Sequence, residues 1–126
     1  MKIELDSSSE NSNRVDAYNV GQVSIAGNTY RSSLLVSHNN ISPDWSPESL
    51  AELDKSHIEQ IITLDPEIVL LGTGKRLVFP SESVVSPLRE NNIGFEVMDT
   101  GAACRSYNFL LNEGRLVVAA LMMIEE

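Results

Sequence analysis

Nine consecutive apolar residues, Leu116 to Ile124, constrain the fold of this chain more than any other stretch. A membrane-spanning helix needs about 20. Nine, preceded by the turn signal Glu113-Gly114-Arg115, suit a strand buried on both faces at the centre of a sheet. A shorter run of the same kind, Ile68 to Leu71, follows Asp65-Pro66-Glu67 and ends at Gly72. The residue before a proline is pushed out of the α region, so Asp65-Pro66 also stops whatever helix precedes it.

Between Leu71 and the next strand-like stretch, Phe95 to Met98, lies a loop from Gly72 to Phe79. A helix comes next, through Val84, Val85, Leu88 and Arg89, with Ser81 or Ser83 as its cap and Asn91-Asn92-Ile93-Gly94 as its stop. Strand, helix, strand is a βαβ unit, and parallel strands with a right-handed crossover are its default. Gly72 and Asp99 then both follow the carboxyl ends of neighbouring strands. The turns Gly72-Thr73-Gly74-Lys75-Arg76 and Asp99-Thr100-Gly101-Ala102-Ala103-Cys104-Arg105 lie side by side at one sheet edge.

The remaining chain supplies the flanks. Residues 1–14 are mostly small and polar and read as a flexible lead-in, with Ile3 and Leu5 suited to a short edge strand; residues 15–126 read as one domain. Val20, Val23 and Ile25, then Gly27-Asn28, then Thr29 to Ser37 predict a β-hairpin whose second strand has one wetter face. His38 to Pro47 read as a loop, with Trp45 over the core rim and Ser46 as the cap of a helix starting at Pro47. The apolar positions Leu50, Leu53, Ile58, Ile61 and Ile62 fit one helix or two, with Asp54 or Ser56 as the restart. Asp99 or Thr100 caps a last helix, Ala102 to Asn112, closed by Gly114. The fold class is therefore α/β, a sheet with flanking helices and an N-terminal β-hairpin.

Composition narrows the function classes. The formal net charge of −9 weighs against nucleic acid and against anionic membranes, both of which need a cationic surface. The single cysteine, Cys104, permits no intrachain disulfide and no cysteine-based zinc site. With no apolar signal core behind Lys2 and no run long enough to insert in a membrane, a soluble cytoplasmic protein is expected.

Several blocks together carry a family resemblance. They are Gly72-Thr73-Gly74 after a buried strand, Val97-Met98-Asp99-Thr100, Ala102-Ala103-Cys104-Arg105-Ser106-Tyr107-Asn108, and Glu113-Gly114-Arg115 before an apolar strand. The chain resembles the MTH-938-like domain family, also catalogued as domain of unknown function DUF 498, from about Val15 to Ile124. The resemblance implies a three-layer α/β domain around a mixed sheet of about five strands, with an added β element. It also implies kinship with a mitochondrial assembly factor for respiratory complex I and a cytosolic adipogenesis-associated protein. It supplies no catalytic residues.

The two turns are the one place to look for a site. A P-loop needs a glycine at the position of Val69 and Ser or Thr at that of Arg76; a dinucleotide fingerprint needs a glycine at Leu77. Both motifs fail, and no cofactor is expected. The ingredients of an anion or carboxylate pocket remain: Gly72, Thr73 and Gly74 for close backbone approach, Lys75, Arg76 and Arg105 as cations, and Asp99 and Thr100 at a helix N-terminus. The competing reading is structural, with Asp99 capping the helix and pairing with Arg105 or Arg76. Cys104, near that N-terminus and beside Arg105, is weighed as a low-pKa nucleophile against a small buried hydrophobe. Asn108 is expected to tie its helix to the Gly72-Thr73-Gly74 turn, Glu113 and Arg115 to form a local ion pair, and His57 to face solvent. The leading reading is a noncatalytic accessory domain with a protein partner. The alternative is a small-anion binder or enzyme using the pocket between the turns. A homo-oligomer through the hairpin edge is left open.

Overall fold

The computed structural model describes residues 12–125. A small antiparallel sheet in the order β1-β2-β3 comes first: β1 Val15–Asn19, β2 Gln22–Ile25 and β3 Asn28–Tyr30. The larger sheet has the order β5-β4-β8-β6-β7, from β4 Leu34–Ser37, β5 Asn40–Ser42, β6 Ile68–Gly72, β7 Gly94–Met98 and β8 Val117–Leu121. β6 runs parallel to both β7 and β8, and β4 runs antiparallel to β8 and β5, so the sheet is mixed. The helices are a 3-10 turn Leu50–Glu52, α1 Lys55–Ile62, α2 Glu82–Glu90 and α3 Thr100–Asn112.

The three layers result from the order of the strands. The connection β6-α2-β7 steps outward along the sheet, and β7-α3-β8 steps back across β6. Two right-handed crossovers that run in opposite directions must put their helices on opposite faces. Accordingly Val85 and Leu88 of α2 join Ile58 and Ile61 of α1 over Val69, Leu71, Val118 and Ala120. Ala103, Cys104 and Tyr107 of α3 pack over Leu70, Val117, Ala119 and Leu121 instead, and the small sheet adds Val15, Val23 and Ile25 there. Alternate residues of β4, β6 and β8 thus feed two cores, and β8 is the central strand that its apolar run predicts.

Helix ends are specified locally. Gly114, at φ +79°, closes α3 in a Schellman motif, with Gly114 N donating to Leu111 O and Arg115 N to Leu110 O, each at 3.0 Å. Asn92, at φ +58°, does the same for α2, with Asn92 N donating to Arg89 O at 3.0 Å and Ile93 N to Leu88 O at 2.9 Å. The stretch from Leu50 to Ile62 is two elements, restarted at Asp54. The Asp54 carboxylate accepts from Ser56 N at 2.9 Å, and Asp54 N donates to His57 Nδ1 at 3.0 Å, a capping box with histidine as its third helical residue.

Several expectations are corrected. Thr29 to Ser37 is not one strand with a wetter face. β3 ends at Tyr30, and β4 belongs to the other sheet, where a core lies on each side and all four of its residues are buried. The hairpin turn centres on Ala26-Gly27, both at positive φ, one residue before Gly27-Asn28, and Gly21 lies in a further turn between β1 and β2. The stretch from His38 to Pro47 contains β5, which closes a tight hairpin on β4. His57 does not face solvent. Its Nδ1 accepts from Asp54 N, its Nε2 meets Ser46 Oγ at 3.1 Å, and its carbonyl accepts from the buried Trp45 Nε1 at 3.2 Å. Ser46 therefore partners His57 and caps no helix. Residues 1–11 of the expected lead-in lie outside the described residues. Asn13, near its end, is bonded into the fold, donating to His38 O and Ser37 O.

Candidate functional site

Gly72 ends β6 where α3 presses closest. A Cβ there would lie 3.0 Å from both Cα and Oγ1 of Thr100, and 3.1 Å from Cβ of Ala103. Thr73 extends the ladder, its N–H donating to Met98 O at 3.0 Å. Its hydroxyl donates to Arg76 O at 2.5 Å and accepts from Val78 N at 3.2 Å, which fixes the base of the loop. Gly74 adopts φ +95°, a conformation that side chains disfavour. Its N–H donates to Thr100 Oγ1 at 2.8 Å, and its carbonyl accepts from Thr100 N at 2.9 Å. Thr100, fully buried, passes its own hydroxyl proton to Met122 O at 2.6 Å.

One hydroxyl therefore joins three segments: the loop after β6, the start of α3 and the end of β8. The two turns do lie side by side, but the space between them is filled by Thr100. The donors that would meet an anion are largely spent. Thr100 N is bonded to Gly74 O, and Ala102 N donates at 2.8 Å to Asp99 Oδ1, so a carboxylate already occupies the positive end of the helix. Asp99 caps the helix as expected, yet among the described residues it forms no ion pair with Arg76 or Arg105.

The other candidate residues are carried elsewhere. Lys75 and Arg76 are exposed on the loop without an ion pair among the described residues. Arg105 turns toward β1, where its guanidinium donates to Tyr18 OH and lies 6.0 Å from the centroid of that ring. Cys104 faces the core, and burial pushes its thiol up to about 12 against a smaller downward pull from Arg105. A thiol so buried and so raised lacks the thiolate character of a low-pKa nucleophile. Neighbouring Tyr107 is also pushed up by burial, and its hydroxyl donates to Asn13 O at 2.6 Å.

Asn108 is not tied to the Gly72-Thr73-Gly74 turn. Its side-chain amide pairs with the backbone of Val15, Oδ1 accepting from Val15 N at 2.9 Å and Nδ2 donating to Val15 O at 2.8 Å. It thereby docks the small sheet on α3. Arg115 bonds Glu67 at 3.1 Å and not Glu113. Glu67 also accepts from Leu116 N, and that bond, together with Arg115, holds its carboxyl below the usual range. Sequence reasoning missed Tyr18, Glu67 and the Met122 carbonyl, whose partners are far away in the chain. It also passed over Leu77-Val78-Phe79, an apolar run inside a loop, which was a visible signal. Among the described residues no three His, Cys, Asp or Glu side chains converge as metal ligands.

The mixed five-stranded sheet, the helices on both faces and the small N-terminal sheet define a Mth938-like α/β domain. The chain belongs to the family described as "Protein of unknown function (DUF498/DUF598)", whose pattern matches residues 15–122. A crystal structure of a Bordetella parapertussis protein superposes with a TM-score of 0.84 at 33% identity, covering 89% of this chain and 96% of that one. The solution structure of a Mth938-like domain from Bordetella pertussis gives 0.80 at 28% identity, over 90% and 87%. Among curated relatives, NADH dehydrogenase (ubiquinone) 1 alpha subcomplex assembly factor 3 of Homo sapiens is 33% identical over 111 residues, 86% of this chain and 59% of that protein. The 13 kDa major membrane protein of Francisella tularensis is 31% identical over 70 residues, 56% of this chain and 57% of that one. The matched regions thus span less than two thirds of either relative's length. No helix among the described residues is long and apolar enough to cross a membrane.

Proposed function

We propose that this chain is an accessory domain that works through protein contacts, in the manner of an assembly factor, and carries no reaction of its own. One observation carries the reading. Leu77, Val78 and Phe79 stand 49%, 47% and 73% exposed on a loop whose base Thr73 pins. Val78 and Phe79 border a groove of about 390 Å³ whose other wall is Leu50, Ala51 and Leu53. An ordered loop presenting an aromatic side chain, beside Lys75 and Arg76, which have no ion pair among the described residues, has the make-up of an interface centre. Because the loop is already held, little ordering cost falls on binding. The human relative's name, an assembly factor, supports the same class. An acidic chain with one buried thiol suits a reducing aqueous compartment such as the cytoplasm. The anion-binding alternative has less behind it, since the N–H groups of Gly74, Thr100 and Ala102 are already bonded within the protein.

The test is affinity capture from native lysate with quantitative mass spectrometry, using wild type and a Leu77→Ser/Val78→Ser/Phe79→Ser variant. A near-stoichiometric partner should be retained by wild type and lost by the variant, at an unchanged unfolding midpoint. Identical partner sets for the two proteins would refute the reading.

A further inference from the structure

The stretch from Ser46 to Asp54 is a strap tied at both ends to one side chain, His57. At its start, Ser46 Oγ meets His57 Nε2 at 3.1 Å. At its end, Asp54 N donates to His57 Nδ1 at 3.0 Å. Trp45, just before the strap, is buried and donates from Nε1 to the His57 carbonyl at 3.2 Å. Its ring meets the imidazole edge-on, with 6.3 Å between centroids. Between the two ties, Leu50, Ala51 and Leu53 form one wall of the groove that Val78 and Phe79 border. A backbone N–H can only donate, so Nδ1 must carry a lone pair. The ring proton then lies on Nε2, which donates to Ser46 Oγ. Only the neutral imidazole makes both ties at once.

We propose that His57 is a pH-sensitive clasp on this strap, closed when neutral and opened at its Asp54 end by a proton from solvent. The imidazole side chain is 14% exposed, which gives that proton access. Once protonated, Nδ1 is a donor facing the Asp54 N–H, and that N–H loses its acceptor. Asp54 Oδ1 lies 3.4 Å from Nδ1, so the ring turns from the backbone to the carboxylate. There it competes with Ser56, whose N and Oγ already donate to Oδ1 at 2.9 and 2.5 Å. Nε2 keeps its proton in both states, so the Ser46 tie persists and the strap is released at one end only. Among the described residues, Asp54 is the only charged group in ion-pair contact with the ring. On the strap, the Glu52 carboxylate accepts from Glu48 N. On α2, which packs against α1, Glu82 and Arg89 pair with each other. Asp44 before the strap, Lys55 and Glu59 of α1, and Glu90 of α2 are exposed. One proton on His57 thus sets whether the groove wall is held or loosened. The wall belongs to the proposed partner surface, but the clasp is read on the free protein and can fail without that reading failing.

Nuclear magnetic resonance of the full chain between about pH 8 and pH 5, the range in which histidine side chains change charge, tests it on wild type and on His57→Gln. Glutamine is an ordinary third helical residue of a capping box: its Oε1 accepts from Asp54 N, and it gains no proton. At the upper pH the wild-type ring should carry its proton on Nε2 and none on Nδ1. On acidification the Asp54 amide proton should shift upfield as its hydrogen bond is lost. The Leu50, Ala51 and Leu53 amides should shift with the same midpoint as the ring. In the glutamine variant all four should stay in place. A proton on Nδ1 at the upper pH overturns the proposal. A wild-type Asp54 amide, or strap amides, indifferent to the ring titration overturn it too. So does a glutamine variant that follows wild type, because the response then belongs to other groups. The wild-type ring and amide readings decide the matter even if the variant fails to fold.

Discussion

Thr100 and Gly74 hold each other twice: Thr100 N donates to Gly74 O at 2.9 Å, and Gly74 N donates to Thr100 Oγ1 at 2.8 Å. The same hydroxyl donates to Met122 O at 2.6 Å. The feature that looks from its glycines and cations like a ligand loop is a lock between three chain segments.

Removing that hydroxyl should therefore cost stability. Thr100→Val keeps the shape but leaves the Gly74 N–H and the Met122 carbonyl buried and unpaired, at a cost of about 3 kcal/mol. Thr100→Ser keeps the bonds and loses one methyl, for about 1 kcal/mol. Urea unfolding should show both as a lower midpoint at unchanged slope, with the valine variant lower. A valine variant as stable as wild type would contradict the lock.

Gly72→Ala tests the same junction by volume. Its Cβ would press on the Thr100 backbone at 3.0 Å, and backbone has little room to yield. A loss of about 2 kcal/mol is expected. Gly114→Ala meets nothing within 4 Å and pays only for its φ of +79°, about 1 kcal/mol. The order of the two thermal midpoints checks the distinction between crowding and conformation.

Asn108→Ala should undock the small sheet from α3, because both backbone groups of Val15 lose their side-chain partner. The expected cost is about 2 kcal/mol. Native-state hydrogen exchange should show lost protection in β1 and β2, while amides of β6 and β8 keep theirs. Uniform loss across the molecule would mean that Asn108 does not act locally.

Alkaline pH should destabilise the fold through Cys104. Its folded pKa is raised from 9.0 to about 12, so the native state holds the proton that the unfolded chain releases. The stabilisation is complete below pH 9 and is lost as pH rises toward 12, by about 1.4 kcal/mol per pH unit. Tyr107, raised from 10.0 by the same burial, acts in the same direction at higher pH. Unfolding free energies of wild type and Cys104→Ala, measured between these limits, should fall less steeply in the variant. Equal slopes would show that the thiol is not buried as described.

Legibility in the sequence tracks the range of the interactions. Leu116 to Ile124 and Ile68 to Leu71 announce buried strands by composition alone, and from them come the βαβ unit, the central place of β8 and the adjacency of Gly72 and Asp99. The Asp54 restart and the Gly114 stop are local chemistry and are equally readable. The features that escape it depend on distant partners. Thr29 to Ser37 has strand pattern throughout, and only the two sheets it joins decide that it breaks between Tyr30 and Leu34. Asn108 finds Val15, 93 residues away, and Arg115 finds Glu67, so no local spacing reveals either pair. For the site, strand order brings the right turns together. Nothing local shows that Thr100 fills the space between them.

The most direct measurement of the central claim is a phosphate and sulfate titration of the isotope-labelled protein at constant ionic strength, monitored by amide chemical shifts. A closed junction predicts no saturating shifts at Gly72 to Arg76 or at Asp99 to Arg105. Saturating shifts at both turns, abolished together by Lys75→Ala/Arg76→Ala, would contradict it and establish the turns as a ligand site.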